Sequence, residues 1–359
     1  YKPTTKGNYV QERRVMAALE EAEKPLICIG GGVFAAHAEN EIRELADLMQ
    51  IPVITTMMGI SVFPDDDQLF CGMIGTHGVK MANAAVNECD VLFLVGARVG
   101  DRAVKTPLAL EKTTKIIHID IDPAEIGKNI GADLPLVGDA KLVLQQMAEL
   151  AKPMKHDEWI AHIKTLGGER EYVEPAKGTV NPRVFIDRLA KKMPANVTVV
   201  ADVGQNQIWT CTEYKFRKEG RLLTSGGMGT MGYSVPAAIG AKMADDSRAT
   251  VAICGDGAFQ MSFMELATAV QFGVDIKVVV MTNNRLGMVR ELQTNGYHDR
   301  QTAVFLDGSP DFIKLAEAYG IPAMRVYDDD TMEKGIEMLA EHKGICLVEV
   351  VVDKDMPTL

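Results

Sequence analysis

The tripeptide Gly255-Asp256-Gly257 follows an apolar run, residues 249–253, that reads as a buried strand. A second such run, residues 276–281, leads into Thr282-Asn283-Asn284. Strands returning to one edge of a parallel sheet would bring the Asp256 carboxylate and an asparagine carboxamide together there. Two such oxygens suit a hard divalent ion of the magnesium kind. The glycines flanking Asp256 let a diphosphate approach the main chain, so the chemistry suggested is a cation bridging protein and diphosphate. Alone, Gly-Asp-Gly reads as a tight turn; the asparagines at the next strand end tip the reading towards a site.

Two further stretches carry ligand-binding residue types. The first is Ser225-Gly226-Gly227-Met228-Gly229-Thr230-Met231-Gly232-Tyr233, whose glycines suit close approach and whose methionines fill shaped apolar gaps. The second is Asp202-Val203-Gly204-Gln205-Asn206-Gln207, directly after a strand at 197–201. Its glycine and amides can hold a diphosphate or form an ordinary loop.

The elements that would hold these residues in place show as alternating runs. In the first half, strands are expected at 25–29, 52–55, 91–95 and 115–121. A helix is expected over 35–50, with Ile42, Leu45, Ala46 and Met49 on one face. In the second half, strands are expected at 197–201, 249–253, 276–281 and 345–351. Ser262 and Glu265 read as a capping box opening a helix that ends near Gly273. Asn181 caps another helix, with Pro182 at its first position. Apolar strands between amphipathic helices imply an α/β fold of two doubly wound domains, each a parallel sheet covered by helices on both faces. The expected organisation is a linker at 1–14, a domain at 15–151, a connection at 152–180 and a second domain at 181–359. The runs Asp65–Asp67 and Asp328–Asp330 read as solvated turns.

A formal net charge of −11 argues against nucleic-acid or anionic-membrane partners. Six scattered cysteines with no C-x-x-C pair imply buried, reduced thiols in a cytoplasmic protein. No apolar run reaches the ~18 residues a membrane helix needs, and no signal peptide is expected. The chain opens on Tyr1 and a linker-like Lys2-Pro3-Thr4-Thr5-Lys6, as a piece of something longer would.

Residues 225–293 resemble acetolactate synthase, also called acetohydroxyacid synthase, a family of thiamine-diphosphate-dependent transferases. Gly229-Thr230-Met231-Gly232-Tyr233, Gly255-Asp256-Gly257 and Leu286-Gly287-Met288-Val289 carry the resemblance, which extends from Tyr1 to Leu359. The Gly-Asp-Gly motif is shared by all thiamine diphosphate enzymes; the other two strings are more specific. The resemblance implies the family's central and diphosphate domains without the N-terminal one. It implies magnesium on Asp256, Asn283 and the carbonyl of Arg285, the family's asparagine pair falling on Thr282-Asn283. Val203, Gly204, Gln205, Asn206, Gly229, Gly255, Gly257, Ala258 and Gly287 would contact thiamine diphosphate. Met231 and Met288 would stand at the reacting centre, Met231 beneath the thiazolium, where it holds the cofactor bent.

The resemblance also implies a non-redox FAD in the first domain. Its contacts would be Gly30, Gly31, Gly32, Thr55, Thr56, Thr76, His77, Gly96, Ala97, Arg98, Arg102, Asp120, Ile121 and Asp139. From the residues themselves, Gly96-Ala97-Arg98 follows a strand, where loop amides and the Arg98 fork can meet a phosphate. Asp120 ends a strand, where an acid can hold a ribose hydroxyl.

The implied reaction joins two pyruvates into 2-acetolactate with loss of carbon dioxide, in branched-chain amino-acid biosynthesis. 2-Ketobutyrate is an alternative second acceptor, and Leu292 stands where the family commonly has a pocket-lining Trp. A homodimer or tetramer and a small regulatory subunit are the implied partners. The family's activating glutamate matches no residue here, so these residues by themselves are expected to be silent. Three alternatives stay open: another thiamine-dependent keto-acid decarboxylase, oxidase or carboligase; a cofactor-binding module without catalysis; and a dinucleotide-dependent dehydrogenase.

Overall fold

The computed structural model describes residues 2–104, 106–168 and 172–359. The chain forms two compact units, Tyr1–Arg170 and Glu171–Leu359. Each is built on a six-stranded sheet in which every pairing is parallel.

The first sheet comprises β1 (Pro25–Ile29), β2 (Val53–Thr55), β3 (Phe70–Met73), β4 (Val91–Val95), β5 (Lys115–Asp120) and β6 (Leu134–Val137), in the order β3-β2-β1-β4-β5-β6. Alternate residues of its central strands enter two separate cores. Ile27, Ile29, Phe93 and Val95 pack with the helices Tyr9–Glu21, Glu39–Met49 and Ala140–Leu150. Leu26, Cys28, Leu92 and Leu94 pack with Lys80–Glu88 and Asp157–Thr165. Strands covered on both faces must be apolar on both, which is why they read as unbroken apolar runs.

The second sheet comprises β7 (Thr198–Ala201), β8 (Arg221–Thr224), β9 (Thr250–Gly255), β10 (Lys277–Thr282), β11 (Ala323–Val326) and β12 (Cys346–Val351), in the order β11-β12-β10-β9-β7-β8. Val200, Ala252, Cys254, Val278 and Val280 meet the helices Ser234–Ala244, Leu266–Gln271 and Phe312–Ala318. The intervening residues Val199, Val251, Ile253 and Val279 are buried on the other face.

Several expectations need correction. Asn8 caps a helix that starts at Tyr9, inside the stretch read as a linker, and buries Val15, Met16 and Leu19. The connection expected at 152–180 reads with one or two helical turns near Trp159, and the helix Asp157–Thr165 is there; it belongs to the first unit, the Trp159 indole donating to the Pro25 carbonyl at 3.0 Å. The helix expected over 35–50 starts later, at Glu39, and runs to Met49 with Ile42, Leu45, Ala46 and Met49 buried as expected; a separate short helix, Gly32–Ala35, precedes it. Ser262 and Glu265 form no capping box. Phe263–Glu265 is a 3₁₀ turn, and the Ser262 hydroxyl is buried without a partner. Asp328 is no mere turn residue: with Thr331 it makes a capping box for the helix Asp329–Glu341. The cap expected at Asn181 is formed on Pro182–Lys192. All six cysteines are free and buried. Among the described residues no helix is long and apolar enough to cross a membrane.

Candidate functional site

In the second unit β10, β9 and β7 lie side by side, and their carboxyl ends carry the three polar stretches singled out above. The chain runs from β7 outward to β8, then crosses to β9 on the other side of β7. The crevice between β7 and β9 is therefore the switch point, where open α/β sheets bind ligands.

Asp256 stands at this crevice and is 2% exposed. Its Oδ2 accepts the Asn283 and Asn284 amides at 3.2 and 2.6 Å, and its Oδ1 accepts the Gly257 amide at 2.8 Å. Burial pushes its carboxyl up to about 6, while these backbone bonds pull it back down. Asn283 turns its Oδ1 to the Arg285 amide at 3.0 Å and donates from Nδ2 to Gln205 Oε1 at 3.1 Å.

A carboxylate has about four acceptor positions and a carboxamide oxygen two, so Asp256 and Asn283 each keep one for a cation. Among the described residues no group of three His, Cys, Asp or Glu is placed to hold a metal. One carboxylate with amide and carbonyl oxygens is a hard set that fits magnesium rather than zinc. The helices Gln205–Glu213 and Gly287–Gly296 both begin at this cleft, so their positive ends favour an anion there. The residues present thus fit a magnesium diphosphate.

The cleft brings together nearly all the residues expected in it. Val203, Gly204, Gln205, Asn206, Gly255, Asp256, Gly257 and Ala258 line it, with Met231, Asn283, Arg285, Gly287 and Met288. Gly229 is the exception: it lies in an exposed loop with a left-handed φ of 71°, and open space surrounds its Cα. Leu292 is 61% exposed and does not line the cleft.

Sequence reasoning missed Trp209, Met281, Leu286, Val289 and Val352, which complete the walls. Trp209 had a signal, since it lies one helical turn beyond Gln205. Asp202 opens one of the stretches singled out above, but its role does not show in the sequence. It is fully buried, and its carboxylate accepts the amides of Val203, Gly232 and Ser234. Among the described residues lining the cleft there is no glutamate.

Gln205 joins several parts of this wall. Besides holding Asn283, its Nε2 donates to the Met356 carbonyl at 2.9 Å and the Thr358 hydroxyl at 3.1 Å. A Cβ on Gly287 would fall 1.8 Å from Gln205 Oε1, so only glycine fits beside this arrangement.

In the first unit the switch point lies between β1 and β4, because β2 and β3 extend to one side and β4 to β6 to the other. The residues expected to hold a flavin nucleotide all follow strand carboxyl ends and so share one edge. Gly30, Gly31 and Gly32 follow β1; Thr55 and Thr56 end β2; Thr76 and His77 follow β3; Gly96, Ala97, Arg98 and Arg102 follow β4; Asp120 and Ile121 end β5; Asp139 follows β6.

Their local roles differ. A Cβ on Gly30 would lie 2.1 Å from the Gly96 carbonyl, and one on Gly32 would lie 2.7 Å from the Gly96 Cα. The glycines are therefore demanded by the chain's own close packing. Asp139 caps Ala140–Leu150 through the Lys141 and Leu142 amides. The Arg98 carbonyl accepts from Asn129, and that of Arg102 accepts from the Thr76 amide. The Thr55 hydroxyl is buried without a partner at this edge.

Two protein-family models match the chain. The thiamine pyrophosphate enzyme central domain covers residues 13–147, and the thiamine pyrophosphate enzyme C-terminal TPP-binding domain covers residues 202–350. The chain is 40% identical to the probable acetolactate synthase large subunit of Methanocaldococcus jannaschii, over 98% of its own length and 61% of the relative's. It is 35% identical to the acetolactate synthase large subunit of Lactococcus lactis, over 99% of its length and 62% of the relative's. It is 34% identical to the acetolactate synthase isozyme 3 large subunit of Escherichia coli, over 98% and 63%. The chain thus spans about three fifths of the length of the curated relatives it matches.

Proposed function

We propose that this chain, which belongs to the thiamine pyrophosphate enzyme family, works as part of an acetolactate synthase. In this reading it condenses two pyruvates to 2-acetolactate with loss of carbon dioxide, in branched-chain amino-acid biosynthesis. The observation that carries the reading is the meeting of Asp256, Asn283, Met231 and Met288 in one cleft at the β7–β9 switch point.

Asp256, Asn283 and the Arg285 carbonyl would hold magnesium, with the diphosphate against the amides around Gly204 and Gly255. Thiamine diphosphate, when bound, supplies the nucleophile and the electron sink that decarboxylating a keto acid requires. The protein's part is to bind, orient and keep dry. Asp256 presents a fixed charge because three backbone N–H groups hold its carboxylate. Gln205 fixes the Asn283 carboxamide by accepting from its Nδ2, and Oδ1, which accepts the Arg285 amide, keeps one position for the cation. Met231, Leu286, Met288 and Val289 give the cleft an apolar wall that excludes water from a reacting centre.

The first unit would carry a non-redox FAD along the edge formed by Gly30–Gly32, Gly96–Arg98 and Asp120. The partners proposed are a second copy of the chain and a small regulatory subunit, in the cytoplasm. The six buried thiols suit that compartment.

The test is a calorimetric titration of the full-length protein with thiamine diphosphate and magnesium. Asp256→Ala should abolish the magnesium-dependent heat; binding that survives this change would remove Asp256 from the site.

A further inference from the structure

The Gly-rich loop that carries Met231 is exposed from Gly226 to Thr230, and Met228 within it is 88% exposed. Its own bonds are local: the Gly229 amide reaches the Ser225 carbonyl, and the Thr230 amide reaches the Ser225 hydroxyl. Immediately after Met231 the chain is fastened. The Gly232 amide donates to Asp202 Oδ1 at 3.0 Å, and the Ser234 amide donates to Asp202 Oδ2 at 2.8 Å. Asp202 ends β7 at the switch point, and its own amide bonds the Ile253 carbonyl on β9 at 2.8 Å. One fully buried residue, its amide on β9 and its carboxylate on the loop, thus links the crevice to the segment bearing a methionine of the cleft.

We propose that Asp202 is a positioning residue: it sets where Met231 stands in the cleft and thereby the affinity for thiamine diphosphate. This rests on the reading of the cleft as the cofactor site. The physical basis is that a carboxylate accepting several backbone amides makes charge-assisted bonds of fixed direction. Met231 is separated from that anchor by a single peptide unit. The expected partner surface for Met231 is the small face at Gly257, where a Cβ would come within 3.3 Å of the Met231 methyl.

An anchor that only stabilised the fold would act independently of Met231. An anchor that works through Met231 would not, because once the methionine is gone its placement no longer matters. The experiment is therefore a double-mutant cycle on the full-length protein, read by titration with thiamine diphosphate and magnesium. Asp202→Asn, which replaces one acceptor oxygen by a donor, should weaken binding about tenfold to a hundredfold, the size of a lost charge-assisted bond. Met231→Ala should weaken it too, and the double variant should bind no worse than the weaker single one. Should Asp202→Asn fail to fold, Gly232→Ala takes its place in the cycle. At φ +86° with a Cβ 3.0 Å from Met261, it disturbs the loop from the other side of the same bond. Additive losses, or unchanged affinity in the Asp202 and Gly232 variants, would overturn the proposal. A wild-type protein with no affinity for thiamine diphosphate would instead overturn the reading of the cleft beneath it.

Discussion

Gly287→Ala is a one-methyl change with a cost that can be worked out. Gly287 opens the helix Gly287–Gly296, and alanine would ordinarily stabilise a helix by ~1 kcal/mol over glycine. Here the new Cβ would fall 1.8 Å from Gln205 Oε1 and 2.5 Å from its Cδ. The backbone of both residues is held in helices, so the Gln205 carboxamide must swing away. It then loses three bonds: to Asn283 Nδ2, to the Met356 carbonyl and to the Thr358 hydroxyl. Each is worth ~0.5–1.5 kcal/mol net, and Gln205 is buried, so no water replaces them. Set against the helix gain, the variant should lose roughly 1–3 kcal/mol, a fall in Tm of several degrees for a domain of this size. Urea unfolding followed by tryptophan fluorescence, to which Trp209 of this unit contributes, measures it. In a Gln205→Ala background the obstacle is gone, and Gly287→Ala should become neutral or mildly stabilising. A Gly287→Ala variant as stable as wild type would refute the reasoning, as would equal costs in the two backgrounds.

Full-length protein prepared with excess FAD should stay yellow through gel filtration and keep its flavin absorbance during turnover; release of the flavin on the column would count against the first unit as its site. Leu292→Trp should shift the competition between pyruvate and 2-ketobutyrate towards the larger keto acid; since Leu292 is exposed and outside the cleft of its own chain, an unchanged ratio would show that nothing brings it to the substrate. Burial pushes the thiols of Cys28, Cys71, Cys89 and Cys211 from 9.0 up to about 12. The native protein should therefore react with no thiol reagent at pH 8, and all six thiols should titrate after unfolding. The same raised values mean that the unfolded chain loses thiol protons first. The stability these thiols contribute is complete below pH 9 and is lost as the pH rises towards 12, so alkaline unfolding midpoints should rise when one is replaced by Ala in a repacked background.

The central strands were legible in the sequence because both their faces are buried. β1 and β4 are apolar without interruption, and β9 and β10 carry unbroken apolar runs at 251–254 and 278–281. The four strands that escaped notice, β3, β6, β8 and β11, are the four sheet edges. An edge strand has a neighbour on one side only and is partly exposed; in β11 only Val326 is buried, so the continuous signal disappears. The site was legible for a related reason: Asp256, Asn283 and the 203–206 stretch sit one step beyond recognisable strands. Trp209 and Met281 lie inside regular elements, and Val352 directly follows one, where ordinary core burial gives them the same appearance. The spacing of Ser262 and Glu265 suited a capping box, but the backbone at Ser262 (φ −143°, ψ 10°) is not the extended form that aims a hydroxyl at the helix. Asp202 stands in a stretch that the sequence singles out, but its bonding role was not legible because its partners, Gly232 and Ser234, are distant in sequence and bond through backbone groups that carry no residue signature.

The interlock of Gly30, Gly32 and Gly96 bears on which neighbouring sequences this fold can reach. The main chain at Gly96, itself at φ +57°, faces those of Gly30 and Gly32 at less than the width of a methyl group. A methyl added to any one of them meets backbone, which cannot rotate away as a side chain can. No change at one position relieves a change at another, since each is blocked by main chain that all residue types share. In a library varying every residue in turn, these three side-chain-free positions would be as unforgiving as the most deeply buried phenylalanines. A lineage could drift at almost every apolar position of the first sheet, one compensated volume change at a time, while this corner stayed fixed.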